Sequence, residues 1–116
     1  MPFDHNAIAA HAVLIEKLFW SKHRPRLGLR DRMREGQRIE GSTIELFYVR
    51  PAFNRPQEWI EEPIARLRHF PRLGVWRIYW QRADLRWHLY QPQPEFPDLA
   101  DCLRVVSNDE YHCFFG

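Results

Sequence analysis

The stretch VWRIYWQRADLRWHLY, Val75 to Tyr90, carries three of the chain's five tryptophans and reads as two strands of a β-hairpin. With Ala83-Asp84 as a two-residue connection, Trp80 faces Trp87, Tyr79 faces His88, Ile78 faces Leu89 and Arg77 faces Tyr90. Side chains alternate between the faces of a strand. One face then collects Trp76, Ile78, Trp80, Trp87 and Leu89. The other collects Arg77, Tyr79, Gln81, Arg86, His88 and Tyr90. A slip of one residue would mix the two sets, so the sorting itself supports the register. The turn is its weak point. Ala-Asp is not the Asn-Gly or Asp-Gly that a tight two-residue turn prefers, and a type I turn with a bulge would shift the pairings near the tip.

Upstream, Gly41-Ser42 suits a type II′ turn with glycine first, pairing Ile39 with Ile44 and Arg38 with Glu45. The strand after it runs to Arg50, with Ile44, Leu46 and Tyr48 on one face and Thr43, Glu45, Phe47 and Val49 on the other. Pro51 ends it. The segment PAFNRPQEWIEEP, with its three prolines, reads as a long connection in which Trp59 and Ile60 fold back as a lid. Pro63 then opens a third strand to Phe70. Ala65 and Leu67 join the tryptophan face; Ile64, Arg66, Arg68 and Phe70 join the other. Pro71 and Gly74 bracket the turn into the central hairpin. The expected sheet covers residues 38–91.

Helices flank it. Asp4 or Asn6 caps a first helix over residues 1–21, with Ile8, His11, Ile15, Leu18 and Phe19 at helical spacing. Residues 22–37 read as a basic connector, with a short helical turn near Leu29 to Glu35. Pro97 and Asp98 suit the first turn of a last helix, residues 97–107, whose stripe is Leu99, Cys102, Leu103 and Val106. The apolar tail, residues 108–116, is expected to pack as an edge strand or in a groove. The whole predicts one two-layer α+β domain: helix, antiparallel meander of four to five strands, helix, packed tail.

At 116 residues, the chain is long enough for a single core without staples. Its formal charge of +2 does not by itself argue for nucleic acid, but its distribution is uneven. Lys22–Arg38 holds seven basic and two acidic residues, while 92–116 holds five acidic residues and one arginine. These opposite ends either attract each other or meet a partner. No signal-like start and no bilayer-length apolar run is read from the sequence, so the expectation is a cytoplasmic protein with no membrane association. The two cysteines, Cys102 and Cys113, are then free thiols.

Candidate function falls on the reverse of the tryptophan face. Arg66, Arg68, Arg77 and Arg86 gather there with Tyr79, His88 and Tyr90. Guanidinium groups for phosphate, interleaved with rings for base stacking, are the ingredients of a single-strand nucleic-acid platform. The same pattern is what an ordinary solvent-facing sheet shows, because arginine and tyrosine cover apolar surface while keeping polar ends wet. The function expected is a binding module for nucleic acid or another polyanion. A structural or protein-interaction domain, including a homodimer through the face or an edge strand, is the alternative. A small enzyme using Glu45 and His88 as acid and base is the weaker one, so catalysis is not the expected role. Cys102, His112 and Cys113 lack metal spacing, no glycine loop cradles phosphate, and no cofactor is expected.

The core W-x-x-Y-W-x-R-x-D-x-x-W-H-x-Y of the hairpin, preceded by IELFYVRP and PIARLR and followed by YHCFFG, resembles a family of short bacterial proteins of unknown function. The similarity runs from Ile39 to Gly116. The resemblance implies a bacterial cytoplasmic protein and brings no activity, cofactor or catalytic residue.

Overall fold

The computed structural model describes residues 2–29 and 32–115. Helix α1, His5–Ile15, starts where the Asp4 side chain accepts the Ala7 amide at 2.7 Å. It runs without a break into a π-helical stretch, Glu16–Trp20, and a last turn, α2, Ser21–His23. The π stretch has a packing reason. In a regular α-helix, residues five apart face different sides; the wider turn brings Ile15, Phe19 and Trp20 all into the hydrophobic cluster, where they are buried. Trp20 Nε1 also donates to Gln37 Oε1 at 3.0 Å.

Five strands follow as an antiparallel meander in the order β1-β2-β3-β4-β5. They are β1 Arg34–Glu40, β2 Thr43–Pro51, β3 Trp59–Phe70, β4 Val75–Gln81 and β5 Trp87–Leu89. The Gly41-Ser42 turn pairs Ile39 with Ile44 and Arg38 with Glu45, with Gly41 at φ +59°. Helix α3, Leu99–Asn108, is capped by Asp98, which accepts the Asp101 amide at 2.8 Å. Leu99, Cys102, Leu103 and Val106 are its buried stripe. The protein is therefore α+β, with its helices on one side of the sheet and one hydrophobic cluster between.

Three expectations are corrected. The strand β1 begins at Arg34, so it takes up the last residues of the expected basic connector, and the short helical turn is a 3-10 turn at Leu27–Leu29. Part of the segment expected as a helical turn, residues 30 and 31, lies outside the described residues. The strand β3 begins at Trp59 instead of Pro63, so the proline-rich connection shrinks to residues 52–58. Pro63 lies within the strand opposite Phe47, at a bulge where a missing N–H does no harm. The bulge leaves Ile64 and Ala65 both buried on the helix side, although alternation put Ile64 on the other.

The third correction is the register of the central hairpin. Its pairs are Tyr79 with Leu89, Trp80 with His88 and Gln81 with Trp87, one residue away from a two-residue turn. The loop is Ala83-Asp84-Leu85: Leu85 donates its amide to the Arg82 carbonyl at 2.8 Å and takes a left-handed φ of 63°. That is a type I turn closed by a bulge residue. Asp84 holds it in place, accepting the Arg86 amide at 2.9 Å and standing 2.9 Å from His88 Nε2. The extra residue turns every side chain of β5 over. Trp87 and Leu89 lie on the arginine face; His88 and Tyr90 lie on the helix side.

Past β5 the chain returns to β4. Phe96 exchanges backbone hydrogen bonds with Trp76 and is almost fully buried. The tail turns back under Asp109, whose carboxylate accepts the Phe114 and Phe115 amides at 3.0 and 2.9 Å. Phe114 packs 5.5 Å from the Tyr90 ring, and Phe115 stacks on His23 at 4.5 Å. The described residues of the tail are thus packed, but by turns and side chains and not as a strand.

Candidate binding face of the sheet

The strand registers align the outer face in rows. Arg38, Glu45, Arg66, Tyr79 and Leu89 stand side by side across all five strands. Beside them run Thr43, Arg68 and Arg77. On the other flank Gln81 stands next to Trp87. Together they form an open concavity of about 500 Å³, lined by Arg38, Glu40, Thr43, Glu45, Arg66, Arg68, Tyr79 and Trp87.

Charge alternates along the central row. Glu45 accepts from Arg66 Nη2 at 3.1 Å and from Arg38 Nη1 at 3.4 Å. Arg38 also donates to Glu61 at 2.6 Å. That bond is the main reason the Arg38 guanidinium is held above its already high ordinary pKa. The Arg66 guanidinium lies over the Trp87 ring, 4.5 Å from its centre. In the neighbouring row Arg68 and Arg77 both approach the Phe70 ring, at 4.9 and 4.5 Å. Arg77 is bonded to Glu95 at 2.9 Å, which raises its pKa in the same way. Arg68 is exposed and has no carboxylate partner among the described residues. Cation–π contact fixes these guanidinium planes, and Arg68 keeps its edge open to an anion.

Phe47 belongs to this face too, and it is buried there. It packs where the absent side chain of Gly36 would stand, under the Arg38 guanidinium 5.1 Å from its centre. The floor of the face is therefore apolar and the upper layer guanidinium.

Of the residues expected here, Arg66, Arg68, Arg77 and Tyr79 are together. The one-residue register change removes the others. Tyr90 is buried beside Phe114, with its pKa raised by that burial. His88 points to the helix side and bonds Asp84. Arg86 is exposed in the turn opposite Arg82. Glu45 and His88 stand on opposite faces, so the acid–base pair imagined between them does not exist. Trp87 and Arg38 are the residues that sequence reasoning left out. Arg38 was legible from its pairing with Glu45; Trp87 was hidden by a bulge residue that is not glycine.

Other chemistry is sparse. Among the described residues, no three His, Cys, Asp or Glu side chains cluster as metal ligands. Burial pushes the Cys102 thiol far up, and raises Cys113 less. No described helix is long and apolar enough to cross a membrane.

No curated protein and no solved structure matches this sequence. A family model does, over residues 6–116, a span that takes in all five strands and α3. The chain belongs to the family described as a domain of unknown function, DUF3024.

Proposed function

We propose that the outer face of the sheet binds single-stranded nucleic acid, or another polyanion of similar spacing. One observation carries the reading: the face opposite the helices is open and interleaves Arg38, Arg66, Arg68 and Arg77 with Tyr79, Trp87 and Phe70. Arg68, with no carboxylate partner among the described residues, is the first contact for a phosphate. Tyr79, in the adjacent row, offers the ring on which a base stacks. Glu45 keeps the central row near neutrality, so the reading calls for modest affinity. A cytoplasmic site of action fits this reading, as do the two free thiols.

The test is a titration of labelled single strands and duplexes at about 50 mM and about 200 mM salt. Single strands should bind at the lower salt, and removing Arg68 and Arg77 together should flatten the salt dependence by roughly one to two phosphate contacts. Tyr79→Ala should weaken binding without changing that slope. No binding at the lower salt, or binding untouched by the double arginine change, refutes the proposal.

A further inference from the structure

β1 is an edge strand: it pairs with β2 and with no other described strand. Its free side has a defined phase. Across the two-residue turn, Glu40 and Thr43 form the closing hydrogen-bonded pair. On its other side Ser42 accepts the His69 amide at 2.9 Å, which fixes Thr43 as facing β1. Hydrogen-bonded pairs then alternate along the ladder, so Gln37 and Ile39 turn their backbone groups away from β2. The Gln37 side chain is drawn inward by Trp20, yet the residue as a whole is exposed at the edge.

Charged side chains on an edge ordinarily deter pairing. In β1 they do so selectively. The strand reads Arg34-Glu35-Gly36-Gln37-Arg38-Ile39-Glu40. Paired antiparallel with a copy of itself over its full length, it centres on Gln37 and sets Arg34 opposite Glu40 of the partner subunit, twice by symmetry. Gly36 meets Arg38 of the partner subunit, with no like charges opposed. Shifting that pairing so that it centres on Gly36 puts Arg34 opposite the partner's Arg38. Centring it on Arg38 puts the two Arg38 side chains against each other. The longest register is thus the one with complementary charge, and its nearest neighbours are penalised.

It also matches the backbone. At the centre, Gln37 meets Gln37 of the partner subunit, both turned outward, so that their backbone groups form the central hydrogen-bonded pair of the ladder. Residues 34, 36, 38 and 40 of both strands fall on the same side, so the two outer faces become one surface.

We infer that the protein forms a two-fold dimer through β1, a second copy of this chain being the partner that its edge fits. Because a strand pair alone buries less than a standard interface, the dimer is reversible and concentration-dependent. This rests on the edge and not on what the outer face binds.

Sedimentation velocity over a concentration series of the full chain tests it. The wild type should shift from monomer to dimer as concentration rises. Arg34→Glu should remain monomeric, with Glu opposite the partner's Glu40, while the double variant R34E/E40R should dimerise again. Gln37→Pro, which removes the central amide, should be monomeric, with near-ultraviolet circular dichroism confirming the fold. If that variant does not fold, the charge swap alone decides. A wild type monomeric up to its solubility limit overturns the inference. So does a dimer that survives Arg34→Glu or folded Gln37→Pro, and so does a charge swap that fails to restore pairing.

Discussion

At the scale of single residues, two backbone positions govern the sheet. Gly36 is required for space: a Cβ built there would stand 2.3 Å from the Phe47 ring. Phe47 is pinned between Gly36 and Arg38, so it has little room to yield. Gly36→Ala should therefore destabilise the protein by about 1–3 kcal/mol, an overpacking cost, read as a lower urea midpoint with unchanged slope. Leu85 is the opposite case. It holds a left-handed φ of 63° while its side chain is three-quarters exposed. Leu85→Gly removes that strain and loses little burial. It should stabilise by about 0.5–1 kcal/mol, after the greater freedom of glycine in the unfolded chain is subtracted. A lower midpoint would mean that Leu85 contributes packing that outweighs its backbone strain.

At the scale of elements, the hairpin shows what alternation can and cannot reveal. β2, the turn before it and the end of β1 next to that turn were legible residue by residue, because Gly41 declares the turn type and the pattern then follows; the start of β1 at Arg34 was hidden in a basic run without alternation. The buried stripe of α3 was legible because its spacing is regular, although Asp98, read as part of the first turn, is its cap. β5 was not. Its face depends on whether the loop holds two residues or three, and the deciding residue, Leu85, gives no glycine signal. Trp87 therefore read as core, while His88 and Tyr90 read as surface. Pro63 misled in a related way, since a proline that looks like a strand boundary is tolerated inside a strand at a bulge. The register makes a measurable difference. Trp76 is buried in the cluster, and Trp76→Ala should cost about 3–5 kcal/mol. Trp87 lies half-buried on the outer face beneath Arg66, and Trp87→Ala should cost roughly 1 kcal/mol. Equilibrium unfolding of the two variants separates the registers, because a core Trp87 would make the losses similar.

At the scale of the whole molecule, two histidines tie the helices to the sheet and the tail, and burial disfavours the charged form of both. His11 packs edge-on against Phe3 and Trp76, at 4.5 and 5.5 Å between ring centres. Burial lowers its pKa, and neighbouring His69 lowers it further. His23 lies between Phe19 and Phe115, its Nε2 donating toward the Ser107 carbonyl at 3.1 Å, with Ser107 Oγ at 3.0 Å. Burial lowers its pKa as well; Lys22 adds to that, while the Ser107 bond and Asp109 oppose it. In the unfolded chain both imidazoles titrate near 6.5. Below that pH the unfolded chain takes up protons that the folded chain refuses, so stability falls as the solution is acidified. The loss begins near pH 6.5 and stops growing once the lowered folded values are passed. Asp84 gives a separate, more acidic step. The Arg86 amide, and then His88, hold its carboxyl below its ordinary 3.8, so its contribution is present above that pH and is lost as pH falls through the folded value. Thermal melts between pH 8 and pH 5 should therefore show a level region followed by a decline that starts near pH 6.5. Replacing His11 and His23 together by glutamine should flatten that decline even though the variant is less stable throughout. An unchanged slope in the double variant would place the acid sensitivity outside the two ring clusters and sever the link between helix packing, tail docking and pH.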